Sequence, residues 1–422
     1  MRIVYLGINY WPDETGIAPF ATGRCEYLAA RGHEVIACSA PPYYPQWRVP
    51  TTYRGRLGSR EERNGVTILR SWLYVPRRLS AARRIAHEAS FIASSFANAC
   101  LRKRPDLLFV TSPPLGLAAS AVALSRIWRV PYVFDVADLQ PDAAFDLGML
   151  QPGRMVKTLY RLERAAYRNA ALVSTLTETM RQRIIAKGIP PEKVTLFPLW
   201  VEPELFLISP VAASPEPREL VVAHFGNMGV KQGLEVVLDA ARITADNRQI
   251  RYVLVGDGAA RPALEAKAAS MGLSNLEILP LQPRDRFLEL LASSGLCLVT
   301  QQTNVADIVF PSKVLTLLAA GRPVIASVSA ASEVARVVVE AGAGRVVPAE
   351  DPRQLASAIV ELWQSPARLA AMSAAGRAYA AVHWKRETVL PELEAGLLGI
   401  ANGASRVAGS ATVGAAPDQA EI

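Results

Sequence analysis

Gly226-Asn227-Met228-Gly229-Val230-Lys231-Gln232-Gly233 follows the apolar run Leu220 to Phe225 and opens a helical pattern from Leu234 to Ala245. Strand, glycine loop and helix start are therefore read off consecutive residues. At such a junction unpaired backbone N–H groups and the positive helix end face one spot, and Lys231 adds a full charge. The loop suits an anion such as a diphosphate. Glycines between a strand and a helix also serve as plain turn residues, so the weight of this reading comes from the rest of the chain.

A chain of 422 residues exceeds one ordinary core and suits two domains, and its 50% apolar and 20% charged residues are those of a folded globular protein. Cys25, Cys38, Cys100 and Cys297 lie far apart without a CxxC pair, and only four histidines are present. Neither a disulfide framework nor a zinc site is expected; reduced thiols and a cytoplasmic location are. The start Met1 to Gly7 reads as a strand that meets Asn9 and Pro12 too soon for a signal peptide. Leu115 to Leu124 comes nearest to a membrane span and is bounded by Arg126 and Arg129. The net charge of +8 is uneven: residues 1–105 hold 16 Lys or Arg against 7 Asp or Glu, which leaves the remainder near balance.

In the first half, Ile3 to Leu6, Glu34 to Cys38, Val66 to Trp72, Leu107 to Thr111, Tyr132 to Val136 and Leu172 to Leu176 read as strands alternating with helices. That alternation predicts a parallel sheet covered on both faces, with a ligand at the strand carboxyl ends. Gly7 and Gly16 lie nine residues apart, so the first loop is no GxGxxG fingerprint; Gly16 either admits a ligand to the backbone or turns the chain into a helix. Ala40-Pro41-Pro42-Tyr43-Tyr44-Pro45-Gln46-Trp47 offers flat faces for stacking on sugars or wedging at a membrane, or else covers the core.

From Val75 to Pro105 a helical pattern aligns Ile85, Ala89, Ile92, Phe96 and Ala99, with Arg77, Arg78, Arg83, Arg84, Arg102, Lys103 and Arg104 at its ends. Those ends can lie on anionic lipid headgroups, and the stripe is equally an ordinary core face. No nucleic-acid-binding module appears. Asp135, Asp138 and Asp142 carry three carboxylates towards the expected cleft; without an Asp-x-Asp pair, hydrogen bonding to ligand hydroxyls is favoured over a divalent ion, with Asp138 first.

Between Pro198 and Pro217 proline, serine and alanine dominate and periodicity stops, as in a linker. Alternation restarts with strands at Val221 to Phe225, Tyr252 to Val255, Leu276 to Leu279, Cys297 to Thr300, Val324 to Ser327 and Arg345 to Val347. Gly256-Asp257-Gly258 forms a second glycine turn at a strand end. Phe310-Pro311-Ser312-Lys313 starts a third anion site, with Ser312 as N-cap of a helix that ends at Gly321. The expected map is a first α/β domain over 1–200 with a membrane-facing basic helix, a linker at 201–217, a second α/β domain over 218–380, a C-terminal helix at 381–400 and a disordered tail at 401–422.

Two α/β domains of this kind, joined by a proline linker, resemble the GT-B glycosyltransferases, two doubly wound Rossmann-like domains facing across a cleft. The chain is most similar to glycosyltransferase family 4, through Gly226 to Gly233, Val255-Gly256-Asp257-Gly258 with Arg261, Pro311-Ser312-Lys313 and Ala319-Ala320-Gly321-Arg322-Pro323-Val324-Ile325-Ala326. Asn9 to Gly16, Ala40 to Trp47 and Leu73-Tyr74-Val75-Pro76 are similar to colanic-acid fucosyltransferase-like proteins.

The resemblance implies a retaining transfer from a nucleotide-diphosphate sugar, GDP-fucose first and GDP-mannose or a UDP-sugar next, to a polyprenyl-linked saccharide at the inner face of the cell membrane, in exopolysaccharide biosynthesis. It implies Lys231 and Lys313 on the leaving diphosphate with amides near Gly16 and Gly229, donor contacts from Gly226, Asn227, Gly256, Gly258, Pro311 and Ser312, base contacts near Leu281, and Asp138 on acceptor hydroxyls. No cofactor and no metal are expected. Many family members carry two glutamates before the Ala-x-Gly-x-Pro segment; here these positions are Ile308 and Thr316, so Asp307 is the expected sugar contact and Glu333 the ribose partner. A nucleotide-sugar 2-epimerase on the same fold and a non-catalytic membrane or polysaccharide scaffold are the competing readings.

Overall fold

The computed structural model describes residues 1–403 apart from 45, 79, 143–152, 217–218 and 304–311; the tail expected over 401–422 falls almost wholly outside it. The first sheet is built from β1 (Arg2–Leu6), β2 (Glu34–Ser39), β3 (Gly58–Arg63), β4 (Val66–Ser71), β5 (Leu107–Ser112), β6 (Tyr132–Val136), β7 (Leu172–Thr175) and β8 (Val194–Leu196). Their spatial order is β3-β4-β2-β1-β5-β6-β7-β8. Every pairing is parallel except β3 with β4. Residues of β1 alternate between two cores: Val4 and Leu6 join one, Ile3 and Tyr5 the other, as a sheet covered on both faces requires.

The second sheet contains β9 (Leu220–Phe225), β10 (Ile250–Val255), β11 (Leu276–Leu279), β12 (Leu296–Thr300), β13 (Val324–Ser327) and β14 (Gly344–Val347), in the order β11-β10-β9-β12-β13-β14, all parallel. In both sheets the chain reverses its direction of winding beside the first strand. The loop after β9 therefore opens into the crevice where α/β sheets take ligands.

The proline-rich stretch after Pro198 is packed. Leu199, Val201 and Leu205 are buried in the core of the second sheet, Val201 bridges to Lys385, and Arg377 donates to the carbonyls of Phe206 and Ile208. Helix Arg386–Ala401 then crosses back to the first sheet, burying Leu393 and Leu397 beside Ile3 and Tyr5. Its Glu394 accepts from Tyr27 Oη at 3.1 Å and pairs with His33 at 3.0 Å and Arg31 at 3.1 Å.

Two strands, β3 and the three-residue β8, lie outside the periodicity reading. β3, Gly-Ser-Arg-Glu-Glu-Arg, is a polar antiparallel edge strand with no apolar alternation. Its sequence signal is Asn64-Gly65, whose positive φ values of 46° and 81° make the tight hairpin turn into β4. The helix expected from Val75 runs from Ala81 to Cys100, and its core face holds His87, Phe91, Ser95 and Ala99. Ile85 is 58% exposed and Ala89 is exposed too, so the first half of the expected stripe faces solvent.

Candidate active site

Gly226 leaves β9 with φ +112°, a value that excludes most side chains. Its loop is zipped onto the turn after β10: Gly226 N–H donates to Val255 O at 2.8 Å, Met228 N–H to Asp257 O at 2.8 Å, and Ala260 N–H to Met228 O at 2.9 Å. A Cβ at Gly256 would fall 1.8 Å from Gly226 O, and one at Gly258 2.5 Å from Met228 O. These two glycines let the second loop lie flat under the first.

Lys313 opens helix Lys313–Ala319 and threads beneath the same loop; a Cβ on Gly226 would meet its Cε at 2.7 Å. The ammonium lies 3.5 Å from Nε2 of His224, a buried residue of β9. A pocket of about 200 Å³ opens beside it, lined among others by Phe225, Gly226, Leu281, Gln282, Ser312 and Lys313. Burial pushes the Lys313 ammonium down to about 8. Burial, with the Lys313 charge beside it, pushes His224 down to about 3, so its ring is neutral at any working pH.

Lys231 sits in the turn Val230–Gln232 with its side chain exposed, and its carbonyl accepts from Gln302 N–H at 2.9 Å. Asn227 is exposed on the same loop, and Gly229 leaves room for it: a Cβ there would come within 3.0 Å of Asn227 Nδ2. Leu281, 68% exposed, forms the pocket mouth. Ser312 lines the pocket but has helical φ and ψ and makes no side-chain cap, so the N-cap read from sequence is corrected; the charge at this helix start is the Lys313 side chain. Asp307 and Pro311 lie outside the described residues.

On the first domain, Gly16 has φ +64° and open space where a Cβ would point. The three aspartates in and after β6 separate by environment. Asp135 is fully buried, pairs with Arg24 at 2.7 Å, and accepts from Thr111 and Ser174 hydroxyls. Asp142 pairs with Lys187 at 2.8 Å. Asp138 remains half-buried, and burial raises its carboxyl to about 6 against the pull of Arg84. The expectation of three carboxylates in the cleft is therefore corrected, because the other two are taken by the buried Arg24 and the half-buried Lys187.

Glu333 is 5% exposed and already engaged across the domains: its carboxylate accepts from the Thr179 hydroxyl, from Thr179 N–H at 3.3 Å, and from Arg336 Nη2 at 2.7 Å. Sequence reading missed His224 and Asp13. His224 is the one polar residue inside Leu-Val-Val-Ala-His-Phe, a signal in itself. Asp13 is held by Asn9 Nδ2 at 3.5 Å and is raised to about 6 by burial, with nothing local in Pro-Asp-Glu to mark it.

Residues 15–200 match the glycosyl transferase 4-like domain, and residues 219–365 the glycosyl transferases group 1 domain. WcaI of Escherichia coli (strain K12), named for glycosyl transfer in colanic acid biosynthesis, is 35% identical over 350 residues, covering 80% of this chain and 86% of its own. Among solved structures, Anabaena HepE in complex with UDP-glucose superposes with TM-score 0.65 at 17% identity, covering 94% of this chain and 100% of its own. Sucrose-phosphate synthase from Thermosynechococcus elongatus does so with TM-score 0.68 at 18% identity, covering 94% and 98%. The chain belongs to the glycosyltransferases that join a glycosyl transferase 4-like domain to a group 1 domain on the GT-B fold.

Proposed function

We propose that this glycosyltransferase transfers a sugar, with retention, from a nucleotide-diphosphate donor to a polyprenyl-diphosphate-linked glycan in exopolysaccharide biosynthesis. The observation that carries the donor reading is Lys313, a half-buried ammonium under Gly226 at the mouth of the β9 crevice. A cation held in a low-dielectric pocket stabilises a departing diphosphate far more than the same charge in water does. Lys231 adds a second, more solvated charge, and amides near Gly16 and Gly229 face the same region in this reading.

The anomeric C–O bond to the diphosphate breaks as the acceptor oxygen bonds to the same carbon on the same face. The acceptor hydroxyl proton passes to the departing phosphate oxygen. Lysine charge serves where other phosphoryl sites use a metal, so transfer proceeds without one. Asp138 accepts a hydrogen bond from an acceptor hydroxyl. GDP-fucose is the favoured donor, followed by GDP-mannose and UDP-sugars; the HepE complex with UDP-glucose supports a nucleotide sugar as such.

The acceptor reading is supported by the name of the WcaI relative and by one end of the first domain. There Tyr44, Trp72, Tyr74 and Ile85 are exposed beside Arg77, Arg78, Arg83 and Arg84. Tyr74 N–H donates to Ser90 Oγ at 2.8 Å, which ties the aromatic segment to helix Ala81–Cys100. Exposed aromatics with arginines fit an anionic lipid surface, and no helix among the described residues is long and apolar enough to cross a membrane. Calorimetry or thermal shift with GDP, UDP and their sugars tests the donor; preferential stabilisation by UDP overturns GDP-fucose, and no response to any nucleotide overturns the donor reading.

A further inference from the structure

We infer that His224 is a positioning residue for Lys313, holding the ammonium against the glycine loop by presenting a ring-nitrogen lone pair from beneath. The inference rests on the donor reading above and assigns the residue that makes the cation there a fixed one. His224 is 1% exposed on the central strand β9. Its Nδ1 lies 3.3 Å from Leu298 O on the neighbouring strand β12. A carbonyl only accepts, so Nδ1 carries the proton and the ring is the Nδ1–H tautomer. That leaves Nε2 as an acceptor, 3.5 Å from Lys313 Nζ.

A lysine has three donors on a flexible stem and is ordinarily free to swing. Here two neighbours limit that freedom. Gly226 lies over the end of the side chain, where an added Cβ would fall 2.7 Å from Cε and 3.3 Å from Nζ. His224 accepts from below. Among the described pocket-lining residues Lys313 is the one that carries charge, and the titratable side chain in contact with it is His224, beneath the pocket. With its ring neutral, His224 provides a lone pair and no competing charge. Pre-organisation of this kind stabilises a developing charge without reorganisation at the moment of reaction.

Two measurements test this. With four histidines in the chain, 15N-labelled histidine gives a resolvable spectrum, and the His224 nitrogen shifts report its tautomer directly. The expected result is a neutral ring protonated at Nδ1 down to pH 5; an Nε2–H ring overturns the inference, whether or not any nucleotide binds. The second measurement is UDP and GDP affinity as a function of pH for His224→Phe, which keeps a ring without the nitrogen, and His224→Gln, which keeps an acceptor. In His224→Phe the alkaline limb moves down by about one pH unit and affinity at pH 7.5 falls roughly tenfold; His224→Gln recovers most of both. In a Lys313→Met background the Phe change has no further effect on affinity. Wild-type affinity and limb in a folded His224→Phe overturn the inference; absence of binding in the wild type instead overturns the donor reading and leaves the tautomer result standing.

Discussion

Lys313 and Gly226, 87 positions apart in the chain, occupy each other's van der Waals space so closely that a single methyl group on Gly226 would fall 2.7 Å from the lysine Cε. The glycine is therefore required twice over, by its φ of +112° and by the side chain beneath it.

Gly226→Ala is expected to lose both. Strain at such a φ costs about 1–3 kcal/mol, and the lysine must leave its seat to admit the methyl. Thermal melts should fall, and nucleoside diphosphate affinity by calorimetry should drop by roughly tenfold or more, because the cation no longer faces the pocket. An unchanged affinity would separate Gly226 from the site.

Lys313 and Lys231 differ in burial, and that predicts different losses. Removal of a charge seated in the pocket and aimed at the leaving group costs about 2.7–4 kcal/mol of transition-state stabilisation, so Lys313→Ala should lower kcat/KM about 10²–10³-fold with little dependence on salt. The exposed Lys231 works through water, and Lys231→Ala should lose less, with a loss that shrinks as salt rises from about 0.05 to 0.5 M. Initial rates across a salt series check both; equal, salt-independent losses contradict the assignment.

The half-buried Lys313, pushed down to about 8, sets a pH dependence of known sign. A bound diphosphate needs the ammonium, so above pH 8 binding takes up a proton and Kd rises about tenfold per unit. Stability of the unliganded protein moves the other way. The unfolded lysine holds its proton up to about 10.4, so between pH 8 and that value the unfolded state binds more protons and this group's contribution to stability increases. Calorimetry in two buffers of different ionisation enthalpy, with parallel melts, reads both trends.

Arg24 and Asp135 form a buried pair at 2.7 Å in the first domain, with Arg24 also donating to Phe197 O at 2.9 Å. Arg24→Met leaves the Asp135 carboxylate uncompensated and should cost about 3–5 kcal/mol, whereas the double change Arg24→Met with Asp135→Leu should recover much of it. Denaturant unfolding of the set measures the coupling. An acceptor-contact role for Asp135 predicts instead lost activity without lost stability.

The basic end of the first domain should bind vesicles containing phosphatidylglycerol and leave neutral ones. Each arginine near an anionic surface contributes about 1 kcal/mol, so Arg83→Gln with Arg84→Gln should reduce co-sedimentation by roughly 10–30-fold while nucleotide affinity stays unchanged. Equal binding to neutral vesicles would remove the electrostatic part of this reading.

Most strands were legible because parallel strands buried on both faces are written as apolar runs, and Tyr132 to Val136 and Val324 to Ser327 coincide with β6 and β13 to the residue. β3 was not legible in this way: an edge strand of Ser, Arg and Glu carries no apolar period, and only Asn64-Gly65 marks it. Helix Ala81–Cys100 shows the limit of periodicity. Its stripe through Ile92, Phe96 and Ala99 meets the core, but Ile85 and Ala89 are exposed.

By itself the sequence determined the two wound sheets, the strand-end loops and the candidate glycines, since these follow from side-chain period and from the φ values that glycine alone takes freely. Only the tertiary structure decided which charges are free to act. The sequence put Asp138 first among three loop carboxylates but carried nothing of Arg24 and Lys187, distant in the chain, which close on Asp135 and Asp142. Lys313 was one basic residue after Pro-Ser until folding brought it under Gly226 and onto His224, 89 positions away. Burial and partnering set whether a charge is spent on the fold or left for a ligand, and both depend on contacts that no local pattern carries.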